Sequence, residues 1–230
     1  MTSQLETWNV RLNLLASAAM IVASAAVGYA VLRQPKSHIE VPPIPRNPLG
    51  VDGAQRQGGE SARVALIEFG DLQCPYCRRF AKDIFPDLQR EYVVTGKVLF
   101  VFRHLPLTNL HPVAFRAAEG AECAARQEKF WPMFDALLGA TQPLDEGYIV
   151  TQAGAVGLDK AQFQACFNGE ASGVIRADVD SAQALGVKST PTFFLGSIIE
   201  GGKVKVRKVI SGAQPAEQFR AAIDSALGSR

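Results

Sequence analysis

Two cysteines separated by two residues, Cys74 and Cys77, lie between a predicted strand and a predicted helix. Residues 64–69 form a short apolar run typical of a buried strand, and a turn follows. Residues 78–92 are predicted to be helical, with a kink at Pro86. This order places Cys74 at a helix N-terminus, where unpaired N–H groups and the helix dipole stabilise a thiolate. The feature indicates a redox-active pair in an α/β fold.

The two cysteines are expected to differ in role. Cys74 is predicted to be exposed and nucleophilic, and Cys77, one turn further in, to be shielded and to act as the resolving thiol. Pro75 falls in the first helical turn, where its missing N–H has no cost. Zinc binding would need a second pair of ligands, and Cys123 and Cys166 are far apart in the sequence. We therefore predict a catalytic pair and no metal site.

Composition narrows the class of protein. The chain has 230 residues, a net charge of +2 and 47% apolar residues, which fits one medium-sized globular domain with additional segments. A charge this small, without a cluster of lysine and arginine, argues against a nucleic-acid-binding protein. Phe130 and Trp131 are interpreted as core residues and not as part of a cofactor site, so no cofactor is predicted.

The N-terminal residues 1–33 are interpreted as a membrane anchor or a signal segment. Residues 12–32 form an uncharged run of 21 residues, long enough as a helix to cross a hydrocarbon core of roughly 30 Å. The apolar region of a signal peptide is usually shorter, so an uncleaved anchor is favoured. The slight excess of positive charge after the run weakly favours a cytoplasmic position for the rest of the chain.

Residues 34–61 contain five prolines followed by four glycines and show no apolar period. They are predicted to form a spacer between the anchor and a domain that spans residues 62–230. Within that domain, strands are predicted at residues 97–102, in the run after Pro191, and at residues 204–210, the last a candidate edge strand. The Thr190–Pro191 bond is predicted to be cis. The predicted helices cover residues 112–138 as two helices, 145–156, 160–167, 172–185 and 215–227.

Several of these motifs together resemble the DsbA-like branch of the thioredoxin superfamily. They are Glu68-Phe69, the Cys-Pro-Tyr-Cys motif at residues 74–77, and Thr-Pro-Thr-Phe-Phe at residues 190–194. The resemblance extends from Ala62 to the C-terminus. It implies a thioredoxin fold with a helical insertion at about residues 111–186, in addition to the predicted N-terminal membrane helix.

The resemblance also implies roles for individual residues. Pro191 would be a cis-proline beside the cysteine pair, and the Thr190 backbone would pair with a substrate strand. Glu68 matches a buried acid that exchanges protons with Cys77, although an ordinary acid at a strand end is an equal alternative. Tyr76 stands where the best-known oxidase of the family has histidine, so a less oxidising pair is expected. The Pro-Tyr dipeptide and Thr190 also resemble DsbG-type isomerases and reductases.

Cys123 and Cys166 both fall in the predicted helical insertion, where several DsbA-like proteins have a second disulfide. Closing a loop of this length stabilises a fold by about 4 kcal/mol in the chain-entropy model. A second redox site that tunes the first is the alternative, but neither cysteine has a Cys-x-x-Cys context, which favours a structural disulfide. Such a bond implies an oxidising compartment, and this outweighs the weak charge signal at the N-terminus.

We therefore predict thiol–disulfide exchange on extracytoplasmic proteins, with oxidation favoured over reduction or isomerisation. A non-enzymatic chaperone or binding module is the remaining alternative. The expected partners are cysteine-containing protein substrates and a membrane redox protein, either DsbB-like or similar to vitamin K epoxide reductase. The expected location is the cell membrane, with a single N-terminal span and a periplasmic catalytic domain.

Overall fold

Apolar runs rich in valine, isoleucine and phenylalanine form the central sheet of the protein, whose computed structural model describes residues 20, 23–26, 28–29, 41–59, 61–169 and 171–228. The sheet has five strands in these residues, in the order β1-β3-β2-β4-β5. Strands β2 and β3 are parallel, and the other neighbouring pairs are antiparallel. The strands are β1 (Gln55–Gln57), β2 (Val64–Gly70), β3 (Val98–His104), β4 (Thr192–Ile198) and β5 (Val204–Ser211).

Helix α1 follows β2 and runs through residues 75–93. It consists of α-helical Pro75–Arg79, π-helical Phe80–Ile84, α-helical Phe85–Leu88 and π-helical Gln89–Val93. The predicted proline kink takes the form of a wide turn before Pro86, in which the Phe85 N–H donates to the Phe80 carbonyl. Because Pro86 lies in the first turn of the next segment, its missing N–H is tolerated.

A block of helices is inserted between β3 and β4, as predicted. It contains α2 (Ala114–Ala125), α3 (Phe130–Leu138), α4 (Glu146–Ala155), α5 (Lys160–Phe167) and α6 (Ser172–Ala184). After β5, the chain continues into α7 (Ala216–Gly228). These bounds agree closely with the predicted ranges, because apolar periodicity and capping residues such as Asp145 and Asp159 act locally.

The sheet is covered on both faces. One face carries an aromatic cluster in which the rings of Phe80 and Phe193 lie 4.4 Å apart and those of Phe85 and Phe100 lie 4.2 Å apart. This cluster is continuous with the core of the helical insertion and with both Cys74 and Cys77. The second face has its own apolar core, to which β2 contributes alternate residues. Because β2 is buried along its whole length, a polar side chain on it must have a special environment.

The predicted spacer at residues 34–61 is wrong for part of its length. Gln55–Gln57 forms β1 and pairs with β3, and Leu49 exchanges two backbone hydrogen bonds of 2.8 Å with Val204. Val51 is buried in the core of the second face. The proline and glycine content favoured a spacer in the sequence interpretation. In the structure, backbone groups of this segment form hydrogen bonds with strands of the sheet. Residues 34–40 lie outside the described part.

The predicted membrane span at residues 12–32 lies largely outside the described residues. Those described there (residue 20, 23–26, 28 and 29) are helical. No helix within the described residues is both long enough and apolar enough to cross a membrane.

Candidate active site

The cysteine pair lies where β2 ends and α1 begins, as the sequence predicts. Cys74 is the N-cap of α1, with Pro75 in the first turn, and its carbonyl accepts a hydrogen bond of 3.0 Å from the Arg78 N–H. The N–H groups of the first turn are therefore free to act on the Cys74 sulfur. Both cysteines are reduced in this structure.

The two thiols have opposite pKa shifts. A hydrogen bond from the Cys77 thiol is the largest contribution that lowers the pKa of Cys74, to about 6, and the N–H groups of Cys77 and Tyr76 lower it further against the effect of burial. Burial raises the pKa of Cys77 well above its ordinary value, and its hydrogen bond to Cys74 acts in the same direction. At neutral pH, Cys74 is therefore the thiolate and Cys77 the thiol.

The predicted exposure of Cys74 is wrong. Only 4% of its surface is accessible, compared with 1% for Cys77 and 59% for Tyr76. The Cys74 sulfur lies 3.5 Å from the carbonyl oxygen of Thr190, so the loop before β4 approaches it directly. A helix N-terminus is usually a solvent-facing position, and this loop, more than a hundred residues away in the sequence, covers it.

The loop that approaches Cys74 contains a cis peptide bond between Thr190 and Pro191, as predicted. It leads directly into β4, whose Thr192 is opposite Phe69 of β2. The register of this antiparallel pair brings Pro191 to the end of β2 where the cysteines lie. The loop is thereby positioned beside the reactive sulfur.

Glu68 lies on β2 between Phe102 of β3 and Phe193 of β4. The residue is 1% exposed, and neither carboxyl oxygen has a hydrogen-bond partner in the described part of the chain. Burial raises the pKa of this carboxyl well above its usual range, and negative charge on Cys74 raises it further. This environment favours the buried acid over the ordinary strand-end acid.

Gly70 leaves room for the Glu68 side chain. A Cβ atom at this position would lie 2.4 Å from the Phe102 ring and 2.9 Å from Glu68 Oε1. Any larger residue would displace one of these side chains. The glycine therefore helps to maintain the buried acid near the cysteine pair.

The sequence reasoning missed Asp71 and its partner His111. The Asp71 carboxylate is fully buried and accepts hydrogen bonds from the N–H groups of Gln73 and Leu107 and from His111 Nδ1. The Asp71 N–H lies 3.4 Å from the sulfur of Cys77. An acid three residues before Cys74 was the available sequence signal, but nothing in the spacing links it to residue 111.

The remaining cysteines form a disulfide. Cys123 on α2 and Cys166 on α5 are joined across a separation of 43 residues, with their Cα atoms 5.7 Å apart. Both belong to the buried core of the helical insertion, so the structure brings them together away from the helix N-terminus that activates Cys74. No group of three or more potential metal-ligating side chains (Cys, His, Asp or Glu) lies within the described residues.

This site and fold can be compared with known proteins. A family model described as thioredoxin matches residues 51–225, a range that includes β1 and all elements through most of α7. The chain belongs to this thioredoxin family. The match begins before the predicted boundary at Ala62, which agrees with the packing of residues 49–57 on the sheet.

Solved structures place this thioredoxin-family domain in the DsbA-like group. Wolbachia pipientis alpha-DsbA1 is 25% identical, has a TM-score of 0.69, and is matched over 78% of this chain and 94% of its own. A thioredoxin-like oxidoreductase from Silicibacter pomeroyi is 28% identical with a TM-score of 0.63, over 77% of this chain and 94% of its own. The thioredoxin fold with a helical insertion is thereby confirmed.

A curated relative has a different overall organisation. The Na(+)/H(+) antiporter NhaA 3 of Salinispora tropica is 38% identical to this chain over 149 residues, which are 64% of this chain and 22% of that protein. The chain therefore spans less than a quarter of that relative's length. The similarity concerns only a segment of the antiporter. It therefore does not assign the transport activity of that whole protein to this chain.

Proposed function

We propose that this protein is an enzyme of thiol–disulfide exchange that acts through Cys74 and Cys77. The observation that carries the proposal is the geometry of the pair, in which Cys74 is the N-cap of α1 and Cys77 is buried in its first turn. The pKa of Cys74, lowered to about 6, and the raised pKa of Cys77 support it. Such a pair has one sulfur that attacks or leaves readily and one that retains its proton. The membership in the thioredoxin family and the DsbA-like fold support the same activity.

The oxidative direction begins with a disulfide between Cys74 and Cys77. A substrate thiolate attacks the Cys74 sulfur, the Cys74–Cys77 bond breaks, and Cys77 leaves as a thiolate that takes a proton. A second substrate thiolate then attacks the substrate sulfur of the mixed disulfide, and Cys74 leaves as a thiolate. The substrate loses two electrons, and the enzyme becomes a dithiol. A membrane redox partner accepts these two electrons when it restores the Cys74–Cys77 disulfide.

The surrounding residues have defined parts in this scheme. Glu68, buried and without a hydrogen-bond partner among the described residues, exchanges a proton with Cys77 as that sulfur leaves or attacks. The backbone of Thr190, before the cis-proline, binds the substrate segment that carries the attacking cysteine. A stable Cys74 thiolate favours its departure from the mixed disulfide, and so favours oxidation of the substrate.

The reduction potential of the pair decides the direction. A value near −120 mV is expected for an oxidant, and a value near −270 mV for a reductase. The low pKa of Cys74 supports the first. The reduction potential is measured by equilibrating the purified protein with glutathione and quantifying the dithiol form. A value near the reductive limit would replace the oxidase proposal by one of reduction or isomerisation.

A variant pair tests the activity itself. Cys74→Ser should abolish oxidation of a reduced, unfolded substrate protein, because no sulfur remains to form the mixed disulfide. When Cys77→Ser is given a substrate that contains a disulfide, its Cys74 thiolate attacks that bond and releases one substrate thiolate, and the resulting covalent complex should accumulate, since no resolving thiol is present to break it. Catalysis by Cys74→Ser at the wild-type rate would exclude Cys74 as the nucleophile. Cys123→Ala/Cys166→Ala is the control for loss of cysteines in general.

We also infer that the protein is held at the membrane by residues 12–32, with its catalytic domain outside the cytoplasm. The uncharged N-terminal run and the Cys123–Cys166 disulfide support this location, and an antiporter among the relatives supports a membrane setting. Full-length protein should sediment with membranes and be digested by protease added to spheroplasts. Protection from the protease in intact spheroplasts, with digestion after lysis, would place the domain in the cytoplasm.

A further inference from the structure

The backbone of Asp71 contacts both redox cysteines. Its N–H lies 3.4 Å from the Cys77 sulfur, and its carbonyl accepts a hydrogen bond of 3.1 Å from the Cys74 N–H. The position of this one peptide segment therefore affects both ends of the redox pair. A shift of a few tenths of an ångström would weaken the contact with Cys77.

The side chain of Asp71 determines where that backbone lies. Its Oδ1 accepts from the Gln73 N–H at 2.8 Å, which closes the turn before Cys74. Its Oδ2 accepts from the Leu107 N–H at 2.9 Å and from His111 Nδ1 at 2.8 Å. The first of these bonds is local, whereas the other two come from the loop between β3 and α2.

The loop between β3 and α2 is attached to the active-site turn at further points. The Leu105 N–H donates to the Gly70 carbonyl at 2.7 Å, and the Val113 N–H donates to Gln73 Oε1 at 2.9 Å. Leu105, Leu107 and Val113 make these contacts through backbone N–H groups. His111 makes its contact through its side chain. Its side chain is 18% exposed, so it can be replaced at less cost than the fully buried Asp71.

We propose that His111 is a positioning residue for the redox pair, acting through Asp71 to hold the Asp71 N–H against the Cys77 sulfur. A carboxylate only accepts hydrogen bonds, so His111 carries its hydrogen on Nδ1. The N–H bound to Cys77 stabilises electron density on that sulfur in the dithiol form, in which Cys77 donates to the Cys74 thiolate. His111 thereby favours the dithiol over the disulfide and makes the pair more oxidising.

The inference rests on the proposed exchange activity and can be tested separately from it. In purified full-length His111→Ala, the equilibrium with glutathione should shift about threefold toward the Cys74–Cys77 disulfide, or about 14 mV lower in potential. The pH at which Cys74 alkylation is half-maximal should rise. His111→Asn, which can place an amide N–H near the position of Nδ1, should restore most of both values.

A double-mutant cycle tests whether His111 acts on the redox pair through Asp71. Asp71→Asn should produce a similar shift, and the Asp71→Asn/His111→Ala double variant should be no worse than Asp71→Asn alone, because His111 then has no carboxylate to hold. The matched control is His104→Ala, which removes a buried pair of the same kind, His104 Nε2 with Glu122 at 2.9 Å. This control should lose stability without a change in potential.

The outcomes separate the two proposals. If His111→Ala loses stability but keeps the wild-type potential and Cys74 reactivity, His111 has only a structural role and the inference fails. If the effects of Asp71→Asn and His111→Ala simply add, His111 does not act through Asp71 and the inference also fails. If the wild-type protein itself exchanges no disulfide with glutathione or a reduced protein, the proposed function fails first.

Discussion

Cys74 and Cys77 are three positions apart, yet their pKa values shift in opposite directions: the hydrogen bond between them is the largest cause for Cys74, and burial is the largest cause for Cys77. The thiol of Cys77 donates to Cys74 and lowers its pKa to about 6, and the same bond raises the pKa of Cys77. The helix N-terminus makes a smaller contribution to the lowered pKa of Cys74, through the N–H groups of Cys77 and Tyr76. The reactivity of the site is thus a property of the pair.

Replacement of Cys77 should show this coupling. In Cys77→Ala, the pH of half-maximal alkylation of Cys74 should rise from about 6 by about one unit or more, because the largest lowering contribution is lost. Cys77→Ser retains a hydroxyl donor and should shift less. The measurement is the rate of reaction with iodoacetamide between pH 4 and 9. Equal profiles for the two variants would show that the hydrogen bond is not the cause.

Glu68 should make the stability of the reduced protein depend on pH. Because its pKa is raised in the folded state, the folded protein binds more protons than the unfolded chain above the ordinary glutamate pKa. Stability is therefore retained below that pKa and is lost as pH rises toward the folded-state pKa, by at most about 1.4 kcal/mol per pH unit.

Glu68→Gln removes this titration and should be more stable than the wild type at pH 7, with a difference that disappears toward pH 4. Urea unfolding of both reduced proteins across this range measures it. The same variant should slow the steps in which Cys77 gains or loses a proton. A stability difference that does not vary with pH would mean that Glu68 is ionised in the folded protein.

Within the helical insertion, the Cys123–Cys166 disulfide joins α2 to α5. The 43-residue separation of Cys123 and Cys166 corresponds to about 4 kcal/mol in the chain-entropy model. We expect Cys123→Ala/Cys166→Ala to lower the free energy of unfolding by this order, measured by urea denaturation. The potential of the Cys74–Cys77 pair should be unchanged. A changed potential would support the alternative in which the second disulfide tunes the first.

The elements differ in how well the sequence predicts them. Helices α2 to α7 follow local patterns of apolar spacing and capping, and their predicted ranges are close to the observed ones. Strand β1 was missed because three polar residues carry no period and form a strand only through hydrogen bonds to β3. The cis-proline was predictable, since a proline after threonine opened a buried strand.

For the whole molecule, the N-terminal limit of the domain lies earlier than residue 62. Gly50 accepts a hydrogen bond from Arg103, Val51 is buried, and Gln55 donates to Glu122, so removal of this segment takes away one partner of each of these two side chains and exposes part of the core. The segment at residues 49–57 is therefore part of the folded unit.

Two truncations test this limit. A chain that begins at residue 62 should be at least about 3 kcal/mol less stable than one that begins at residue 41, since it loses the buried Val51 side chain and several hydrogen bonds. Thermal or urea unfolding of the two chains measures the difference. Val51→Ala in the longer chain should give a part of the loss. Equal stabilities would restore the prediction of a spacer up to residue 61.

Features that depend on near neighbours can be predicted from the amino-acid sequence alone. A strand, a turn and a helix around Cys74 and Cys77 place a thiolate at a helix N-terminus, and this needs only a dozen consecutive residues. The helix bounds and the cis-proline follow from the same kind of local information. These features were enough to indicate a redox site and a family.

The environment of that site depends on the tertiary fold. The burial of Cys74 beside Thr190, the apolar surroundings of Glu68, and the bond between Asp71 and His111 each depend on segments that are distant in sequence. The sheet order places β3 and β4 on either side of β2, and this brings their loops to the cysteines. A pKa depends on such contacts, and no local pattern records them.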